Sequence, residues 1–173
     1  MVDKEKIIIE VEESHADRQS LKKNTRRALV FSLGGENYSF DISQIKEVVR
    51  LKQITKVPNV PGFIVGIMNL RGEIISILDI RSFFGLNNKE KTGDMRVIIT
   101  DVTQEAIGIM VDKVLGTIDI AEDEIQPPLA TLRSDLAGYT CGQVEIENEI
   151  LTLLDLEKIL KTDDIEKLRK GKT

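Results

Sequence analysis

The sequence predicts a mainly β protein made of two related copies of one small, barrel-forming unit. Three observations carry that expectation: an internal repeat, short apolar runs separated by turn residues, and no long amphipathic helices between those runs. The chain has 173 residues, 41% hydrophobic and 31% charged, the balance of a globular protein with a core of its own. Aromatics are only 4% and Trp is absent, so Ile, Val and Leu should fill strands, and a ring-walled ligand pocket is not expected.

The repeat appears when the sequence is slid by 69 positions, which lays Arg27 on Arg96 and Ala28-Leu29-Val30 on Val97-Ile98-Ile99. Tyr38, Phe40 and Ile42 then fall on Ile107, Ile109 and Val111, and Pro58 on Pro127. Beyond Pro127 the offset becomes 76, so the second copy carries 7 extra residues; Gly66 then meets Gly142 and Ile77-Leu78-Asp79-Ile80 meets Leu153-Leu154-Asp155-Leu156. Two copies are too few for a solenoid, which needs at least about three, so a pseudo-symmetric pair is expected.

In order along the first copy, Ala28 to Leu33 is a dense strand, and Gly34-Gly35-Glu36-Asn37 a hairpin turn of residues that tolerate positive φ. Tyr38, Phe40 and Ile42 alternate with Ser39 and Asp41 as a half-buried strand does. Val48 to Leu51 and Glu73 to Leu78 supply further strands. Asn59-Val60-Pro61-Gly62-Phe63 places a cap residue and then Pro at the start of a short helix that Gly66 would help to end. Asp79 caps a turn over Ile80-Arg81-Ser82-Phe83-Phe84, with Gly85 at its exit. Asp155 repeats that role before Leu156, Ile159, Leu160, Ile165 and Leu168, spaced as a longer amphipathic helix. Their equivalent positions make Asp79 and Asp155 caps rather than a catalytic pair.

Composition removes most enzyme classes. The single histidine, His15, lies in a polar run near the N-terminus, a poor setting for a nucleophilic triad. No G-x-G-x-x-G follows a strand, and Gly171-Lys172-Thr173 lacks both the first glycine and the following helix of a phosphate loop. Cys141 stands alone, which excludes a disulfide framework and a cysteine-based zinc site. Asp119, Glu122, Asp123 and Glu124 lack calcium-loop spacing and read as a solvated turn. No cofactor or metal is expected. The net charge of -5 argues against wholesale nucleic-acid binding. No apolar run reaches the roughly 20 residues of a membrane span, so the cytosol is the expected location.

What differs between the copies is informative. Asn69-Leu70-Arg71-Gly72-Glu73 faces Glu145-Ile146-Glu147-Asn148-Glu149, so the fold does not demand arginine at that turn. Arg71 offers a planar fork suited to a partner's carboxylates or carbonyls; the alternative is a surface ion pair of its own, worth about 0 to 1 kcal/mol. Ile42, Ile45, Val48 and Val49 form a second candidate surface: Ile42 and Ile45 could face a core, a seam between the units or a partner, and with Lys46 and Glu47 among them these residues could border a groove for an amphipathic partner helix.

Together these residues resemble the CheW family of bacterial chemotaxis coupling proteins. The pattern is Leu29-Val30-Phe31-Ser32-Leu33-Gly34, Tyr38-Ser39-Phe40-Asp41-Ile42, Val57-Pro58 and Pro61-Gly62-Phe63-Ile64-Val65-Gly66. It continues in Asn69-Leu70-Arg71-Gly72, Ile77-Leu78-Asp79-Ile80-Arg81 and Ile107-Gly108-Ile109-Met110-Val111-Asp112, and the resemblance runs from about Arg26 to Leu160. It implies two pseudo-symmetric SH3-like five-stranded β-barrels with short helices and a C-terminal helix. The expected layout is a tail over 1–25, a CheW-like domain over 26–160 and a helix end with a basic tail over 161–173. Within the domain the units cover about 26–86 and 94–156, with strand exchange possible between them.

The resemblance also implies a non-enzymatic, cytoplasmic adaptor, associated with the membrane through receptor arrays and without inserting in it. Its partners would be the regulatory domain of the histidine kinase CheA and the cytoplasmic tips of methyl-accepting chemoreceptors, with no nucleic acid. Carried over by position, Ile42, Ile45, Glu47 and Val48 fall where the family meets receptor. Arg71, with Asn69 and Gly72 shaping its turn, falls on the family's characteristic arginine, which supports kinase control. Leu51 and Gln53, with Pro128, Leu129 and Leu132 of the extra segment, are the candidates for kinase contact. The alternatives are a coupler of a pilus-motility or other chemosensory pathway, or an excised kinase regulatory domain.

Overall fold

A computed structural model describes residues 24–87, 92–129, 134–163 and 165–166. The tail over 1–23, His15 with it, Leu132 and Leu168 lie outside the described residues. Among the described residues ten strands run in chain order: β1 (Thr25–Leu33), β2 (Glu36–Asp41), β3 (Ile45–Arg50), β4 (Ile64–Leu70), β5 (Glu73–Leu78), β6 (Arg96–Thr100), β7 (Ile107–Val111), β8 (Lys113–Ala121), β9 (Thr140–Ile146) and β10 (Glu149–Leu154).

They form two five-stranded sheets that exchange strands between the copies. The first has the order β8-β1-β2-β10-β9, the second β3-β6-β7-β5-β4. Under the repeat β1 corresponds to β6, β2 to β7, β3 to β8, β4 to β9 and β5 to β10, and this substitution turns one order into the other. Each sheet therefore takes two opening strands from one copy and three closing strands from the other. The exchange is carried by the antiparallel β1–β8 and β3–β6 pairs and the parallel β10–β2 and β5–β7 pairs.

Both sheets close into barrels in the same way. The chain leaving β3 bridges β4 at Thr55↔Ile67, and the chain leaving β8 bridges β9 at Gln126↔Gln143. Closure removes the open strand edges that would otherwise invite aggregation. It also explains the conserved spacing of two glycines within the repeat. A Cβ on Gly66 would lie 2.3 Å from the Thr55 carbonyl oxygen, and one on Gly142 would lie 3.0 Å from that of Gln126.

Three apolar clusters result. Ala28, Val30, Ile118, Ile120, Val144, Leu151 and Leu153 fill the first barrel. Met68, Leu70, Ile75, Ile77, Met95, Val97, Ile99 and Met110 fill the second. The largest cluster lies between them and gathers all five Phe and both Tyr of the chain, Phe83 and Tyr139 packing at its margin. The scarce rings were thus reserved for the seam, where each buried side chain contributes about 1.5 to 3 kcal/mol.

The local turns follow from residue chemistry. Gly34 (φ 62) and Gly35 (φ 89) form a two-residue hairpin between Leu33 and Glu36. Asp79 accepts a hydrogen bond from the Arg81 N–H at 3.1 Å and caps the 3-10 helix Ile80–Phe84, which ends on left-handed Gly85. Asp155 caps the helix Leu156–Leu160 by accepting from the Lys158 N–H at 3.1 Å.

Two sequence expectations need correction. Pro61 does not open a helix: Asn59 takes the left-handed conformation (φ 59), and the Ile64 N–H donates to the Pro61 carbonyl at 2.9 Å, closing a turn straight into β4. The β-branched pair Ile64-Val65 favours the strand, and Gly66 sits at its bulge instead of ending a helix. The amphipathic run from Leu156 is also interrupted. The helix stops at Leu160, the Thr162 hydroxyl donates to the Ile159 carbonyl at 3.1 Å, and the Ile165 N–H turns back to the Thr162 carbonyl at 3.0 Å. Ile165 still reaches the central cluster. No helix of the described residues is long and apolar enough to cross a membrane.

Candidate functional site

The candidate site lies on the second barrel, along β3 and the tip of the β4–β5 hairpin. Asp41 starts it by accepting hydrogen bonds from the Ser43 N–H (2.9 Å) and hydroxyl (2.6 Å), which fixes a 3-10 turn over Ile42–Gln44. Ile42 and Ile45 are half-buried and pack against the central cluster. A bulge between Ile45 and Glu47 leaves Lys46 outside the β3–β6 register. Beyond it Val48 stands outward, one of the few large apolar side chains that are exposed.

The hairpin tip is a two-residue turn between Leu70 and Glu73, with both central residues at positive φ: Arg71 at 53° and Gly72 at 87°. That is the turn whose twist suits a tight hairpin. Asn69 braces it, its Oδ1 accepting from the Gly72 N–H at 3.0 Å. Holding a non-glycine residue in the left-handed region costs about 1 to 2 kcal/mol, so the turn keeps Arg71 against its backbone preference. The sister turn does the same with Glu147 (φ 50) and Asn148 (φ 64). Two tips with one backbone geometry therefore present opposite charges.

The structure joins two groups of residues that the sequence kept apart. The Arg71 guanidinium pairs with the Glu47 carboxylate, linking the hairpin tip to β3, and Lys46 reaches Glu73 at 3.8 Å alongside. The Arg71 side chain is 69% exposed, so this pair orients a side chain more than it stabilises the fold. Next to Glu73 in the hairpin, Ile74 is 57% exposed and pairs across it with Asn69. Strand alternation carried the signal, since Ile75 and Ile77 point inward and Ile74 must point out. Its repeat partner Ile150 is likewise exposed.

The other candidates do not share this patch. Leu51 is half-buried against the second-barrel core, and Gln53 is exposed beside it. Pro128 and Leu129 lie on the equivalent loop of the first barrel, where the Leu129 N–H donates to the buried Gln143 side chain at 3.0 Å. Among the described residues no group of three or more His, Cys, Asp and Glu side chains is placed to hold a metal ion. Cys141 is an exposed residue whose thiol donates to the Leu153 carbonyl at 3.3 Å, and the partial desolvation of that thiol pushes its pKa up.

Among the described residues one charged side chain is buried, and sequence reading placed it only in a capped turn. Arg81 is 1% exposed; it pairs with Asp79 at 2.8 Å and with Asp112, which also accepts from the Gly34 N–H at 2.8 Å. This network ties the end of β5 to the β1–β2 turn of the other barrel. The turn chemistry was legible, but the burial depends on strand exchange.

Comparison with known proteins agrees with this architecture. Chemotaxis protein CheW of Klebsiella aerogenes is 31% identical over 137 residues, covering 79% of this chain and 82% of that protein. Chemotaxis protein CheW of Helicobacter pylori is 30% identical over 152 residues, covering 88% and 92%. The crystal structure of the scaffolding protein TtCheW from Thermoanaerobacter tengcongensis superposes with a TM-score of 0.71 at 33% identity, covering 82% of this chain and 96% of that one. With the CheW-like domain model matching residues 27–164, the chain belongs to the CheW family.

Proposed function

We propose that this CheW-family chain is a non-enzymatic chemotaxis adaptor that couples the histidine kinase CheA to the cytoplasmic tips of chemoreceptors. One observation carries the reading: the exposed Arg71, paired with Glu47, stands at a turn whose sister needs no arginine, and Val48 and Ile74 are exposed apolar residues on the adjoining strands. A modest apolar patch with a charged rim suits a contact that is specific and still reversible. Ile42, Ile45, Glu47 and Val48 are the receptor-facing residues in this reading. Arg71, shaped by Asn69 and Gly72, transmits receptor state to the kinase.

The kinase regulatory domain meets the loops that follow β3 and β8, where Gln53 and Leu129 are exposed. Leu51 and Pro128, both half-buried, set the shape of those loops. The protein is cytoplasmic and reaches the membrane through the receptor array. Coupling works by favouring one arrangement of the assembly over another, typically by about 1 to 3 kcal/mol. The test is a binding assay of the full chain with a CheA kinase and a receptor cytoplasmic fragment from the same genome, each presented alone. Binding to both supports the reading, and binding to neither by folded, monodisperse protein removes it.

A further inference from the structure

The pseudo-symmetry supplies a template for a cavity that the function above does not use. A half-open cavity of about 340 Å³ lies beside the first barrel, lined by Arg26, Ser39, Asp41, Gln44, Asp155 and Glu157 among others. Asp155 and Glu157 stand 76 positions after Asp79 and Arg81, the two residues of the buried ion pair in the other half. There one Asp79 oxygen caps the helical turn and the other holds the Arg81 guanidinium at 2.8 Å.

In the open half Asp155 caps in the same way, but among the described residues its second oxygen has only the exposed Lys158 ammonium at 3.8 Å. Position 157 carries Glu instead of Arg, and that side chain turns outward to Lys161 at 3.0 Å. Ser39, 1% exposed, lines the cavity with a buried hydroxyl that has no hydrogen-bond partner among the described residues. Asp41, Asp155 and Glu157 line the cavity against one arginine, Arg26, which is itself held by Asp41 at 3.6 Å. The volume is within the range of small-ligand sites.

We propose that this cavity receives an arginine side chain from the receptor, seated against Asp155 as Arg81 is seated against Asp79. A guanidinium fits because it forks toward carboxylates and sheds its hydration more readily than an ammonium. The receptor is the occupant because Gln44, which lines the cavity, lies between Ile42 and Ile45 of the receptor-facing surface. The inference rests on the adaptor reading.

Glu157→Arg should let the chain fill its own cavity. The full-length variant is expected to bind a receptor cytoplasmic fragment at least about tenfold more weakly, with kinase binding unchanged. Receptor binding at wild-type strength, or a loss confined to the kinase, overturns the inference. An amide-resolved titration of the wild-type protein tests it without a variant. N-acetylarginine amide should move the signals of Gln44, Asp155 and Glu157, and its uncharged citrulline counterpart should not. Equal movement with both, or none, overturns it. Wild-type protein that binds no receptor fragment would instead remove the adaptor reading, and this inference with it.

Discussion

Arg71 and Arg81 both stand where the second copy of the repeat carries glutamate, yet they do opposite things. Arg81 is 1% exposed and locked between Asp79 and Asp112, whereas the Arg71 side chain is 69% exposed at a hairpin tip. Divergence between copies therefore does not mark function by itself. A residue that diverges and is buried has been absorbed into the fold of its own half. A residue that diverges and stays exposed, on a backbone the sister turn reproduces, is available to a partner. Burial separates the two cases.

The comparison breaks most visibly at Arg81. Arg81→Ala would leave two carboxylates facing each other without their cation, and should cost about 3 to 5 kcal/mol in urea denaturation. A loss below about 1 kcal/mol would place Arg81 with Arg71 as a dispensable side chain. The closure glycines sharpen the same contrast between halves. Gly66→Ala should cost about 3 kcal/mol, because its Cβ would strike the Thr55 carbonyl oxygen at 2.3 Å and Gly66 has φ 147. Gly142→Ala should cost less, about 2 kcal/mol, because Gly142 has no left-handed φ and its nearest backbone atom, the Gln126 carbonyl oxygen, lies at 3.0 Å, although the new Cβ would meet the stiff Ile125 Cγ2 at 2.5 Å. Equal losses would mean that the two barrels close with the same tolerance.

Cys141 gives the smallest effect. Cys141 is an exposed residue, but partial desolvation of its thiol disfavours the thiolate, so alkylation at neutral pH should run somewhat slower than for an unfolded peptide. Reaction at the peptide rate would show the thiol to be solvated.

Much of this architecture was legible from the chain. Alternation in Tyr38-Ser39-Phe40-Asp41 placed β2 and the offsets of 69 and 76 gave the pairing of copies, but the strand is not half-buried: Ser39 is 1% exposed, and Ile42 falls in the 3-10 turn that follows. Strand exchange was open from the sequence, since periodicity tells which face of a strand is buried and not which strand lies beside it. For the same reason Glu47 and Arg71 stood as separate candidates until the fold brought β3 to the hairpin tip. Pro61 misled because proline suits a helix start and a turn equally; the left-handed Asn59 decided between them. Ile42 and Ile45 could have faced core, seam or partner, and they pack half-buried at the seam.

The central claim is that Arg71 is kept for a partner and not for the fold. Arg71→Glu copies the sister turn, so its folding stability should stay within about 0.5 kcal/mol of wild type. The decisive measurement is kinase activation by this variant in arrays reconstituted with CheA and a chemoreceptor. The account predicts a well-folded variant that fails to support kinase control; normal activation by the same folded protein would contradict it.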